Sequence, residues 1–256
     1  MSQAAEDGRY FLDGFSGSGG VAKAVRRQGF TAKEFELLHG EEFDLTRPCV
    51  LNKICRDAKD GRLIAAAFGP PCASWSIARD RTLVIRNQLQ PWGLDNLPEN
   101  EQVKVEAGNK TLRATLKLIR TLHRLGIPWS LENPGSSKMW WTKELKEIMT
   151  WPGVHEELID FCQYGTAWRK RTRFIFGNVQ PENLGRFNHR RCTGTGGFCS
   201  RTGERHFQLT GTSPTGVPWT RIAQPYPTKL CNDLAHILVD AERVKYMEKT
   251  WLSLRS

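Results

Sequence analysis

The sequence has no apolar run of membrane-spanning length, no basic amphipathic helix and no lipidation motif, which removes the usual means of holding a bilayer. Residues 1–9 lack the apolar core of a signal peptide, so an intracellular protein is expected, nuclear in a eukaryote and cytoplasmic otherwise. Its seven cysteines (49, 55, 72, 162, 192, 199 and 231) are odd in number and scattered. They argue for reduced thiols, one catalytic or a few metal-bound, over a disulfide framework. There is no internal repeat, no Walker loop and no G-x-G-x-x-G turn in a dinucleotide context, so neither ATP nor NAD is the first expectation.

What is present is a globular composition of 39% apolar, 10% aromatic and 25% charged residues over 256 positions. That length fits one α/β domain with a small second lobe. A formal charge of +10 and a pI near 9.4 imply a polyanionic partner, most economically nucleic acid. A monomer is expected. The division falls at a core over 1–178, a Gly-, Arg-, Thr-, Cys- and His-rich lobe over 179–218, and a return to the core over 219–256.

Tyr10-Phe11-Leu12-Asp13 reads as a strand, followed by the turn Gly14-Phe15-Ser16-Gly17-Ser18-Gly19-Gly20 and a helix from Val21 to Arg27. Glycines let backbone approach a ligand, and the following helix N-terminus offers N–H donors. A second strand spans Ala32–Leu38, and its Glu36 is either a ribose-binding acid or a solvent-facing edge residue. Cys49 to Ala58 forms a helix. The apolar run Leu63–Phe68 then ends at Pro70-Pro71 and delivers Cys72 into a turn. There Cys72 is either a nucleophile or a small buried hydrophobe.

Residues 73–108 read as a polar mobile lid, with Arg79, Arg81 and Arg86 placed to grip a nucleic-acid backbone and Trp75 or Trp92 packing or stacking. A helix follows from Lys110 to Arg124. The strand over Ile127–Leu131 ends in Glu132-Asn133-Pro134, which puts Glu132 in the same kind of strand-end position as Cys72. A helix around Thr142–Thr150 and a strand or loop at Leu158–Phe161 lead to the basic stretch Trp168-Arg169-Lys170-Arg171-Thr172-Arg173 and an apolar strand. The last helix covers Leu230–Tyr246.

Four of these segments, in order over about residues 10–178, resemble motifs of the DNA cytosine-5 methyltransferases. Asp13-Gly14-Phe15-Ser16-Gly17-Ser18-Gly19-Gly20 is similar to their S-adenosylmethionine turn, and Gly69-Pro70-Pro71-Cys72 to their Pro-Cys nucleophile motif. Glu132-Asn133-Pro134 resembles their Glu-Asn-Val, and Tyr164-Gly165 with its basic run resembles their Tyr-Gly…Gln-x-Arg-x-Arg. Ala223-Gln224-Pro225-Tyr226-Pro227 resembles the closing cofactor-side motif more distantly. Five positions depart from the pattern, Pro134 at the family's valine among them. Ala73 replaces the glutamine after Pro-Cys, and Trp168, Lys170 and Thr172 stand at the family's Gln, Arg and Arg.

The resemblance implies a Rossmann-like S-adenosylmethionine-binding α/β sheet in 1–178 with a small target-recognition lobe. It implies methylation of cytosine C5 in DNA through a covalent adduct on a flipped-out base. RNA as substrate and a catalytically inactive nucleic-acid-binding relative are the alternatives. Cys72 would be the nucleophile, Glu132 the proton donor at N3, and Lys170, Arg169 or Arg173 the cation beside the base, the basic residues otherwise contacting phosphate. Asp13, Phe15, Ser16, Gly17, Ser18, Gly19, Gly20, Glu36, Asp44 and Pro70 would hold the cofactor. Ser76, Arg79, Arg81, Arg86 and Arg171 would contact nucleic acid. In the lobe, His189, Cys192, Cys199 and His206 either hold a structural zinc or sit in a flexible DNA-contacting loop.

Overall fold

The computed structural model describes residues 8–253, with side chains described as far as residue 244. Most of the stretch read above for a leader, residues 1–7, lies outside the described residues, as do 254–256.

Six strands, β1 (Tyr10–Gly14), β2 (Ala32–Phe35), β3 (Leu63–Phe68), β4 (Trp129–Pro134), β5 (Val154–Asp160) and β6 (Arg171–Gly177), form one sheet in the order β2-β1-β3-β4-β6-β5. The first four run parallel, and β6 slots antiparallel between β4 and β5. The central β3 is buried along its whole length. This is why it reads as an uninterrupted apolar run without alternation.

Helices cover both faces. Tyr10, Leu12, Ala66, Phe68 and Leu131 pack with α2 (Pro48–Lys59), α3 (Glu99–Arg124) and α4 (Lys143–Ile148). Phe11, Ala65, Ala67, Phe174 and Phe176 pack on the other side with α1 (Gly20–Arg27) and α6 (Thr228–Ser253). Neighbouring residues on one strand, Phe11 and Leu12, thus enter opposite cores, as the two-residue strand period requires. The chain is a Rossmann-like α/β fold. Among the described residues no helix is long and apolar enough to cross a membrane.

The second strand stops at Phe35, three residues before the expected end, and leaves Glu36 just beyond the sheet. The lid expectation is corrected more substantially. Helix α3 begins at Glu99, not Lys110, and the preceding segment is pinned by Arg86, which is fully buried. Its guanidinium donates to the Ser74, Pro91 and Val105 carbonyls and to Asn109 Oδ1, all at 2.8–2.9 Å. It also stacks 3.5 Å over Trp75, itself buried edge-on to Trp92. Lys138, likewise buried, donates to the Arg86 carbonyl at 2.8 Å and pairs with Asp80. Two buried cations, Arg86 with all five donors used and Lys138 with two of its three, explain how a polar stretch without hydrophobic period holds a shape. Both tryptophans are packing residues.

The segment between β6 and α5 (Trp219–Ile222) has little regular structure. It contains one 3₁₀ segment, Pro181–Phe187, and two isolated bridges, Phe198 with Arg205 and Thr212 with Pro218.

Candidate active site

The order of the strands decides where a ligand fits. The chain goes from β1 to β2 on one side, then crosses back to β3 on the other side of β1. The carboxyl ends of β1 and β3 therefore diverge into a crevice. Gly14 lies opposite Phe68, Gly69 N donates to Gly14 O at 3.1 Å, and Phe68 lies opposite Leu131. The loops after β1, β3 and β4 consequently leave the sheet side by side. A cavity of about 1040 Å³ opens there. Its lining includes the glycine-rich turn, Pro70, Cys72, Glu132 and Lys170.

The turn after β1 is built from left-handed backbone. Phe15, Gly17 and Gly19 all have positive φ (57°, 53° and 65°). For Phe15 that conformation is uncommon, and the Phe15 N–H bond to Phe35 O at 2.8 Å holds it. Asp13 accepts from Ala22 N at 2.9 Å, tying the end of β1 to the first turn of α1. Burial, in part offset by that bond, pushes its carboxyl up to about 7. Glu36 accepts from Gly17 N at 3.1 Å and faces the cavity. The hydroxyl of Ser16 is buried without a partner.

Cys72 is half-buried in the loop after β3. Burial pushes its thiol up, the nearby Glu132 carboxylate pushes it further, and the Lys170 ammonium works the other way. Glu132, 7% exposed at the end of β4, has one oxygen bonded to the Tyr226 hydroxyl at 2.8 Å and the other without a partner. Burial raises this carboxyl as well, against the opposing pull of Lys170 and the Tyr226 hydroxyl. A buried acid with a vacant oxygen facing a cavity can hold a proton and give it to a ligand.

Of the three cations considered for the base, Lys170 alone is among the cavity-lining residues. Arg169 pairs with Asp160 and donates to Cys192 O, and Arg173 pairs with Glu156 and lies over Trp140. Near and along β6 side chains alternate in direction, so odd-numbered residues point away while Lys170 and Phe174 reach the cavity. Arg171 is held against Asp160 at 3.0 Å.

The other expectations divide similarly. Ser76 and Arg79 line the cavity, with Arg79 paired to Glu101, and Arg81 is exposed. Arg86 is the interior anchor described above, which removes it from the set of nucleic-acid contacts. Asp44 is not among the cavity-lining residues. Its carboxylate caps the Thr46 N–H and hydroxyl, both at 2.8 Å, at the turn into α2. In the lobe, His189 is exposed and lies apart from Cys192, Cys199 and His206, which gather instead with Cys162 from the turn after β5.

Tyr226, Asn133, Phe174 and Arg221 also line the cavity and were not singled out as site residues from sequence. Tyr226 carried a local signal in Pro225-Tyr226-Pro227 before the last helix, and Asn133 one in Glu132-Asn133-Pro134. The others depend on strand register and lobe placement.

No family model matches the sequence, and no curated protein matches it. Among solved structures, the chain is similar to the Dnmt2 methyltransferase of S. pombe, with TM-score 0.41 and 14% identity over 74% of this chain and 57% of that one. A variant of Spodoptera frugiperda DNMT2 gives TM-score 0.36 and 13% identity over 66% and 49%. The Entamoeba histolytica methyltransferase EhMeth gives TM-score 0.41 and 10% identity over 91% and 98%. The chain thus spans about half the length of the insect protein.

Proposed function

We propose that the cavity is the active site of an S-adenosylmethionine-dependent methyltransferase acting on cytosine C5 in nucleic acid, with DNA as the substrate. The observation that carries this reading is that Cys72, Glu132 and Lys170 line the same cavity as the glycine-rich turn. A volume of about 1040 Å³ is at the upper end for a single small ligand and suits a cofactor with a base beside it.

The residues present fit the cofactor. The vacant Ser16 hydroxyl is an orphaned buried polar atom in the turn, and the N–H groups at the start of α1 suit a carboxylate. Glu36 offers a carboxylate to ribose hydroxyls, and Pro70 offers apolar surface. When bound, S-adenosylmethionine supplies the electrophilic methyl group.

The chain's own residues prepare C5 to accept the methyl group. C5 of cytosine is a poor nucleophile until a thiolate has added to C6. Cys72 forms that C–S bond while Glu132 gives its proton to N3, which leaves C5 enamine-like. The two ionisations oppose one another, so a protonated Glu132 and a Cys72 thiolate form the favoured pair. With Glu132 protonated, the repulsion that raises the Cys72 thiol is absent, and the Lys170 charge favours the thiolate. Tyr226 holds one Glu132 oxygen, so that the other stays toward the cavity. A base stacked in a duplex cannot reach this recessed thiol, so the target is flipped out or single-stranded.

The test is transfer of labelled methyl from S-adenosylmethionine to cytosine-containing oligonucleotides, run on DNA and RNA in parallel. Wild type should label DNA, Cys72→Ala should not, and DNA carrying 5-fluorocytosine should trap a covalent adduct on Cys72. Labelling of RNA alone would move the substrate. A wild-type protein that binds both polymers without transfer would defeat the catalytic reading.

A further inference from the structure

Between residues 188 and 218 the buried residues are Cys192, Cys199, His206 and Ser213. A segment of that length with no aliphatic or aromatic core needs another source of folding energy. Three of its four buried side chains converge on one point, and a fourth, Cys162, arrives there from the turn after β5.

We propose that Cys162, Cys192, Cys199 and His206 form a closed, tetrahedral structural zinc site that clamps the 188–218 lobe onto the loop carrying Lys170. The four ligand atoms all lie within 4.8 Å of one another. Cys192 Sγ and His206 Nε2 are 3.7 Å apart. Ligands of a tetrahedral zinc, with Zn–S of about 2.3 Å and Zn–N of about 2.0 Å, stand about 3.6 Å apart.

The surroundings are those of a metal site rather than of packed thiols. His206 Nδ1 lies 2.9 Å from the Gly197 carbonyl, so that nitrogen carries the proton and Nε2 presents its lone pair to the sulfurs. Ser200 N donates to Cys192 Sγ and Gln163 Nε2 to Cys162 Sγ, each at 3.4 Å, as suits thiolate acceptors. The bridge between Phe198 and Arg205 brings Cys199 and His206 together. Three sulfurs and an imidazole leave no position for water, which assigns the metal a structural role.

The clamp reaches the cavity through Asp160. That carboxylate accepts from Cys192 N at 2.8 Å and pairs with Arg169 and Arg171, the residues on either side of Lys170. Arg201 adds a bond to Cys162 O at 2.8 Å. Losing the metal frees the lobe and slackens the segment that carries Lys170.

The experiment is metal analysis of the full-length protein, purified under reducing conditions without chelator. Stoichiometric zinc is expected, lost in Cys162→Ser and Cys192→Ser and retained in His189→Ala. Replacing the metal with cobalt should give the visible spectrum of a tetrahedral thiolate site. Should the serine variants not fold, His206→Cys keeps a four-ligand set and should retain zinc with an altered cobalt spectrum. A folded wild type without metal, or with two of these cysteines joined as a disulfide, overturns the proposal. So does zinc that survives Cys162→Ser but not His189→Ala. Metal content is read independently of methyl transfer, so the two proposals fail separately.

Discussion

The side-chain amide of Asn133 donates to the carbonyl oxygen of Pro70 at 2.9 Å. This buried bond joins the ends of β4 and β3 and fixes the spacing between the Glu132 carboxyl and the loop that carries Cys72. Asn133→Asp is nearly isosteric but sets an acceptor against an acceptor. It should cost about 1–3 kcal/mol of stability and lower methyl transfer more than cofactor binding. Chemical denaturation and a titration with S-adenosylmethionine separate the two effects. Transfer at the wild-type rate would show that the bond does not position the site.

Glu132→Gln removes the negative charge that raises the Cys72 thiol and also the proton meant for N3. Two readouts should therefore move in opposite directions. Alkylation of Cys72 near neutral pH should quicken, while methyl transfer should fall by about 10²–10⁴-fold, the range for loss of a general acid. If both fall together, Glu132 supports Cys72 in some other way. Lys170→Gln should shift the alkylation profile to higher pH, because the cation opposing the thiol's rise is gone.

Asp13 makes stability depend on pH. Its folded pKa of about 7 lies above the ordinary value of 3.8, so the folded chain holds this proton more tightly than the unfolded chain does. Its contribution is fully present below about pH 4 and is lost as pH rises through about 7. Asn at this position still accepts from Ala22 N but does not titrate. The stability of Asp13→Asn relative to wild type should therefore rise across that window, as followed by urea denaturation at several pH values. A difference that stays constant with pH would contradict the assignment.

Arg86→Met strands three carbonyl oxygens and the Asn109 side chain that the guanidinium now satisfies. A loss of about 3 kcal/mol is expected, with no change in the salt dependence of nucleic-acid binding. Thermal unfolding measures the first and filter binding the second.

Arg81 is the contrasting case, exposed on the segment beside the cavity. If it meets a phosphate, Arg81→Ala should reduce the slope of log affinity against log salt by about one while leaving stability unchanged. An unchanged slope would remove it from the interface.

The sequence by itself determined the parallel α/β core, because strand and helix periods are local properties. The all-apolar β3, the glycine turn before α1, and the strand ends at Cys72 and Glu132 were all readable from neighbouring residues. It also contained the choice of Lys170 in the alternation along β6, although residue types alone left three cations open. Only the tertiary structure decided what depends on distant chain segments. Arg86 looks like a phosphate contact until carbonyls from three separate segments are seen to surround it. His189 fits a ligand spacing, yet it is Cys162, far earlier in the chain, that the fold gathers with Cys192, Cys199 and His206. Tyr226 becomes part of the site only when the last loop folds back over Glu132. Spacing along a chain reports what one element presents, whereas charge compensation and ligand geometry are set by what packs against it.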